Sequence, residues 1–409
     1  MEASPMDALL HEEAALPEDA HAALLLGRAW IPGVVPGPAP VTVHRGEVFD
    51  LSPLAPTSAE LLDQPDAAAL LRDAVARGGV RPVGPLRALL ANSDERRRDA
   101  SQPWLLAPCD LQAVRACGVT FVASMLERVI EEHARGDAAQ AEEIRARLDR
   151  ELGTALSRVQ PGSPEAARVK AVLSERGLWS QYLEVGIGPD AEVFNKAQPL
   201  SAVGTGADIG ILESSSWNNP EPELVLAVDS RGQVRGATLG NDVNLRDWEG
   251  RSALLLGRAK DNNASCAIGP FIRLLDEHFP LEALRDTSIA VEVSGEDGFS
   301  VRGGYSLRQI SRDPVELVRH AMGAHHQYPD GLMLFLGTAF APTHDRGEPG
   351  RGFTHRVGDR VAIRAPRLGT LVNRVDFAHR IAPWTFGAGA LMHNLAARGL
   401  LRAPGAPRP

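Results

Sequence analysis

The chain has 409 residues, more than one ordinary small core needs, so two or more structural units are expected. A composition of 44% hydrophobic and 23% charged residues, with 39 Gly and 30 Pro, describes a globular, turn-rich protein containing β structure rather than a helical bundle. The formal net charge of −9 argues against a nucleic-acid binder, and no window is apolar for long enough to cross a bilayer. Cys109, Cys117 and Cys266 are scattered and form no Cys-x-x-Cys, which indicates neither a disulfide framework nor a thiolate metal site. The first residues lack the basic start of a secretory signal, so a cytoplasmic location is expected.

Taken in chain order, residues 1–20 are an acidic, Ala-rich lead-in. Residues 23–54 predict short strands broken by Pro32-Gly33 and Pro36-Gly37, including a pair around 41–43 and 48–51. Residues 58–77 predict a helix with Ser58 at its N-cap. A linker of short strands and charge follows over 78–108. A boundary there gives a small α+β N-terminal domain over residues 1–108 and a catalytic domain over 109–409. Residues 122 to about 178 predict a helical insertion or lid, with apolar stripes at Leu126, Val129, Ile130 and at Ile144, Leu148. Gly136-Asp137 and Pro161-Gly162 interrupt it, and its charge runs, Glu131-Glu132 and Glu142-Glu143, read as solvated surface. From Leu183 the chain predicts short strands, a helix near 314–323 and a closing helix within 384–401, before a Pro-rich end. Residues 204–210 miss the dinucleotide spacing and read as a tight turn, and His325-His326 reads as a helix end rather than a metal site.

The chemistry concentrates in one stretch. Glu221 and Glu223 alternate along a predicted strand and so share a face. The polar segment 229–232 separates two apolar runs and predicts a hairpin, which returns Asp242 to the two glutamates. Glu-x-Glu alone is commonly a charged strand edge. Three converging carboxylates, however, repel one another unless a cation neutralises them, and a Mg²⁺ or Mn²⁺ site follows. Beyond them Lys260 opens the polar run 260–265; it serves either as the cation facing a metal-bound anion or, if burial lowers its pKa, as a base.

These motifs resemble the fumarylacetoacetate hydrolase family: Glu221-x-Glu223, Gly240-Asn241-Asp242-Val243-Asn244-x-Arg246-Asp247, Lys260 before Gly269-Pro270, Gly337-Thr338 and Gly369-x-Leu371-x-Asn373. The resemblance implies an α+β fold with a mixed β-roll catalytic domain and a divalent metal on Glu221, Glu223 and Asp242. It also implies 2-oxo acid or acylpyruvate substrates and a homodimer or larger homo-oligomer. Hydrolases of the family carry a water-activating His-x-x-Glu pair. Here Glu127 remains, but Ser124 stands where the His would be, and serine has no basic nitrogen. Through that departure, Val119-Thr120-Phe121, Glu192-x-Phe194-x-Lys196 and the 18-residue step from Asp242 to Lys260, the chain resembles the 2-keto-3-deoxy-pentonate dehydratase branch. In that branch glutamate and lysine at the positions of Glu192 and Lys260 do acid–base work; the alternative for Glu192 is a plain strand-face carboxylate with Lys196 as its partner. The expectation is dehydration of a 2-keto-3-deoxy sugar acid to 2,5-dioxopentanoate, with Lys260 removing the C3 proton and Glu192 protonating the C4 hydroxyl. Phe121, Ser124 and Thr338 are expected to line the substrate pocket. The alternatives are an acylpyruvate-type carbon–carbon hydrolase and an oxaloacetate-type decarboxylase.

Overall fold

Two sheets and a helical insertion organise the chain in a computed structural model that describes residues 6–77, 80–152, 159–175, 179–347 and 352–401. Residues 1–5 of the lead-in, 78–79 of the linker, 153–158 and 176–178 of the insertion, and the Pro-rich last residues fall outside that set. The larger sheet runs Arg81–Pro85, Glu47–Asp50, Gly37–His44, Leu25–Ile31, Cys266–Leu274, Val234–Asp242, Pro222–Val228, Leu332–Phe335, Ala113–Gly118, Glu192–Ala197, with Trp104–Leu106 also paired to Leu25–Ile31. A second sheet runs Ser300–Ser306, Ser288–Ser294, Arg360–Ala365, Gly369–Phe377, Asp208–Ile211. The boundary expected near residue 108 is therefore no break in the sheet: Leu26 pairs with Ile272 across it.

The central hairpin is buried on both faces, which explains its nearly continuous apolar run. Leu224, Leu226 and Val228 point into a core shared with Val291, Val293 and Ile363 of the second sheet. Val225 and Ala227 point the other way, toward Leu61 and Leu71 of the N-terminal helices. Each such leucine contributes about 1.5–3 kcal/mol of burial. The turn is set by Asp229, whose Oδ1 accepts from the amides of Arg231 and Gln233, both at 2.9 Å. The resulting register places Pro222 opposite Asn241 and Glu223 opposite Gly240.

The expected helix over 58–77 is two helices, Ser58–Leu62 and Ala67–Arg77. Pro65 lies in the break, where its missing N–H and its restriction of the preceding residue end a helix. The N-cap is Thr57, which accepts from the Glu60 amide at 3.0 Å, while the Ser58 amide donates to Asp110. The insertion contains Val122–Ala134, Ala138–Leu152, Pro164–Glu175 and Gln181–Ile187, with breaks where Gly136-Asp137 and Pro161-Gly162 fall. The predicted late helices form as Pro314–Ala321 and Ala388–Ala397. Residues 204–207 turn into the strand Asp208–Ile211 rather than into a helix. Among the described residues no helix is long and apolar enough to cross a membrane.

Candidate metal centre and active site

The strand pairing that buries the hairpin also gathers its carboxylates. Glu221 immediately precedes the strand Pro222–Val228, Glu223 is the second residue of that strand, and Asp242 ends Val234–Asp242. The Asp242 amide donates to the Glu221 carbonyl at 3.0 Å, and Asn241 Oδ1 accepts from the Glu221 amide at 3.2 Å. One carboxylate oxygen of each of the three residues lies within 4.8 Å of the others, and all three side chains are buried.

Counter-charges reach this cluster from three other elements. Lys260, at the end of the short helix Leu256–Lys260, pairs with Glu221 and, at 3.1 Å, with Asp242 Oδ2. Lys196, wholly buried on Glu192–Ala197, pairs with Asp242 Oδ1 at 2.9 Å and donates to the Lys260 carbonyl. Arg128, on Val122–Ala134, pairs with Glu221, with Glu131 at 2.5 Å and with Glu249 at 2.8 Å. Burial would raise the Asp242 carboxyl, but Lys196 and Lys260 outweigh it and hold the group below its ordinary range.

Glu223 stands apart. It accepts one hydrogen bond, from the Gly337 amide at 2.6 Å, and no Lys, Arg or His of the described residues reaches ion-pair distance. Burial first, and then Asp242 and Glu221, push its carboxyl well above the ordinary range. A buried carboxylate without a cation, inside an all-oxygen donor set, fits a hard divalent ion. Gly337 has φ +87°, and a Cβ there would meet Thr120 Oγ1 at 2.1 Å, so only glycine presents its amide to Glu223 in this way.

The pocket over this cluster is lined by Glu192, Ser124, Thr338, Arg128, Lys260 and Phe194 among others. Glu192 lies directly over Gly118, its strand partner, where a Cβ would come within 2.0 Å of Oε2. Burial raises its carboxyl, the direction a proton donor needs. Ser124 donates to the Phe121 carbonyl at 2.9 Å, and no histidine lines the pocket among the described residues. Thr338 also lines it, its hydroxyl accepting from the Phe340 amide at 3.1 Å.

Four expectations change. Phe121, the extended residue just before the helix Val122–Ala134, is a core residue rather than a pocket-lining one, edge-to-face with Tyr305 at 5.0 Å. Burial alone would lower the Lys260 pKa, but Asp242, Glu221 and Glu249 reverse that, so the amine is held protonated above its ordinary range. Lys196 is no partner of Glu192; it serves Asp242 instead. Glu131 is not solvated surface but 2% exposed, bridging Arg128 and, at 2.6 Å, Arg246. Glu127 is likewise committed, to Arg145 and Arg246, and His133 is exposed. Sequence reasoning missed Arg128, Glu249 and Lys196. Arg128 had a signal: it sits four residues after Ser124, on the same helix face.

Residues 188–376 match the family model described as fumarylacetoacetate (FAA) hydrolase C-terminal. A 2-dehydro-3-deoxy-D-arabinonate dehydratase of Saccharolobus solfataricus is 31% identical over 190 residues, 46% of this chain and 60% of the relative. A protein of Haloferax volcanii named probable 2-keto-3-deoxyxylonate dehydratase is 32% identical over 201 residues, 49% of this chain and 65% of the relative. The chain thus spans less than two thirds of the length of either curated relative. A solved structure of 2-keto-3-deoxy-D-arabinonate dehydratase complexed with magnesium and 2,5-dioxopentanoate superposes with a TM-score of 0.58 at 21% identity, covering 86% of this chain and 99% of that one. Its apo form superposes equally well, and both show a shared fold. The stretch 188–376 that is similar to the fumarylacetoacetate hydrolase C-terminal family model carries Glu192, Glu221, Glu223, Asp242 and Lys260.

Proposed function

We propose that the protein is a divalent-metal-dependent hydro-lyase that dehydrates a 2-keto-3-deoxy sugar acid of pentonate size to 2,5-dioxopentanoate. The observation that carries this reading is a buried carboxylate triad sharing one pocket with Lys260 and Glu192, with no histidine lining it among the described residues. Glu221, Glu223 and Asp242 would hold Mg²⁺, which when bound supplies Lewis-acid polarisation of the substrate's keto group.

The side chains divide the remaining work. Removing the C3 proton leaves an electron pair that expels the C4 hydroxyl, which needs a proton to leave as water. Glu192, whose carboxyl burial shifts upward, supplies it. A C5 proton moving to C3 shifts the new double bond to C4–C5, and the resulting enol gains a proton at C4 as it loses its hydroxyl proton, giving the aldehyde of 2,5-dioxopentanoate. Lys260, charged while paired to Glu221 and Asp242, stabilises negative charge growing on the substrate. To accept the C3 proton itself, it must first give up its own, which requires those two carboxylates to turn to another partner. Ser124 and Thr338 offer hydroxyls to orient the chain. Solved and curated relatives named as dehydratases of this substrate class support the reading.

The test is to incubate chelator-treated protein with 2-keto-3-deoxypentonate, with and without Mg²⁺, and to follow 2,5-dioxopentanoate by NMR. Product should form only with the metal. Pyruvate release from an acylpyruvate, with no dehydration, would replace this reading by the hydrolase.

A further inference from the structure

The charges around the pocket point to one class of substrate tail. Five acidic side chains line it (Glu192, Glu221, Glu223, Asp242 and Glu249) against two cations, Arg128 and Lys260. Neither cation is free. Lys260 is shared by Glu221 and Asp242, and Arg128 is engaged by Glu131, Glu221 and Glu249. The other nearby guanidinium, Arg246, is taken by Glu131 at 2.6 Å and Glu127 at 2.8 Å and does not line the pocket. Among the described residues, the remaining lining is neutral: the hydroxyls of Ser124 and Thr338, the ring of Phe194, and Cys117, Gly118, Val119 and Gly337.

We infer that the site is selective for singly charged 2-oxo acids with a hydroxylated, uncharged tail, and that Glu249 is a specificity-determining residue because it occupies Arg128. The inference rests on the proposed dehydratase reading and narrows it. A substrate's 2-oxo carboxylate belongs at the metal end. A second carboxylate at the other end of the molecule would enter a desolvated pocket with no unpaired cation, where Glu249 already occupies Arg128. A terminal hydroxyl, in contrast, can donate to a carboxylate there. Glu249 matters most because nothing else among the described residues pairs with it, whereas Glu131 is also held by Arg246 and Glu221 by Lys260.

Two measurements decide it. The first compares kcat/KM for 2-keto-3-deoxypentonate and for 4-hydroxy-2-oxopentanedioate, which has the same chain length but ends in a carboxylate. The hydroxyl-ended acid should win by at least 100-fold, and Glu249→Gln should narrow the gap at least tenfold by raising the value for the diacid. The second needs no turnover: calorimetric Kd values of the wild-type protein with Mg²⁺ for 2-oxopentanoate and 2-oxopentanedioate. The monoacid should bind at least 10-fold tighter. Values within threefold, or a preference for the diacid, overturn the inference in either assay, and binding of neither overturns it as well. Selective binding of the monoacid without dehydration of the pentonate would keep the selectivity and remove the proposed reaction.

Discussion

The hairpin that carries the carboxylates and the helical insertion that carries Arg128 meet at Glu221 but are held in place by different forces. The hairpin is fixed by a backbone ladder from Pro222–Asn241 to Val228–Val234, with one irregularity between Ala227 and Val228, and by apolar side chains facing two cores. The insertion's first helix, Val122–Ala134, rests on Met125, Val129 and Ile130 and reaches the site through ion pairs: Arg128 to Glu221 and Glu249, and Glu131 and Glu127 to Arg246. A ladder fixes geometry whatever the charge state, whereas an ion-pair web depends on every member being present. Placement of the three carboxylates therefore belongs to the hairpin, and electrostatic tuning to the insertion.

The sharpest way to break that division is at the hairpin. Glu221→Gln should abolish turnover, by 10³-fold or more, and lose Mg²⁺ binding, while circular dichroism stays native. Lys260→Ala should also stop turnover, by about 10²–10⁴-fold, but keep Mg²⁺ binding in calorimetry. Full activity in that variant would take Lys260 out of the mechanism. On the insertion side, Arg128→Ala leaves Glu131 and Glu249 with one cation fewer. It should cost about 3–5 kcal/mol in urea unfolding, with Arg128→Lys restoring part of that. Equal loss of Mg²⁺ binding in Arg128→Ala and Glu221→Gln would erase the distinction between the two regions.

The smallest expected effect is on pH dependence. Burial, opposed by Arg128, raises the Glu249 carboxyl to about 7. Its folded pKa lies above the unfolded value of about 4.3, so the folded state binds the extra proton and stability falls as pH rises between them. In chelator-treated protein, Glu249→Gln should flatten the loss of stability between pH 4.5 and 7 relative to wild type. An unchanged slope would place the titration elsewhere.

The difference between the regions also explains what the amino-acid sequence made readable. Period-2 alternation placed Glu221 and Glu223 on one face, and the Asp229 turn returned Asp242, because strand pairing is local and its register follows from the turn. Helical periodicity marked Val129 and Ile130 as buried, and both are. It could not say that Glu131, in a charged run, would be buried between two arginines, since its partner Arg246 lies 115 positions away. Lys196 looked like a strand-face partner for Glu192, because the choice of Asp242 depends on how two distant strands pack. The same limit hid the rise in the Lys260 pKa: burial was foreseeable, the carboxylates outweighing it were not.

Calorimetric titration of Mg²⁺ into chelator-treated wild-type protein and into Glu223→Gln tests the central claim most directly. One ion per chain on the wild type, and none on the variant, is the predicted outcome. No binding to wild type, or undiminished binding to Glu223→Gln, would contradict a divalent ion held by Glu221, Glu223 and Asp242.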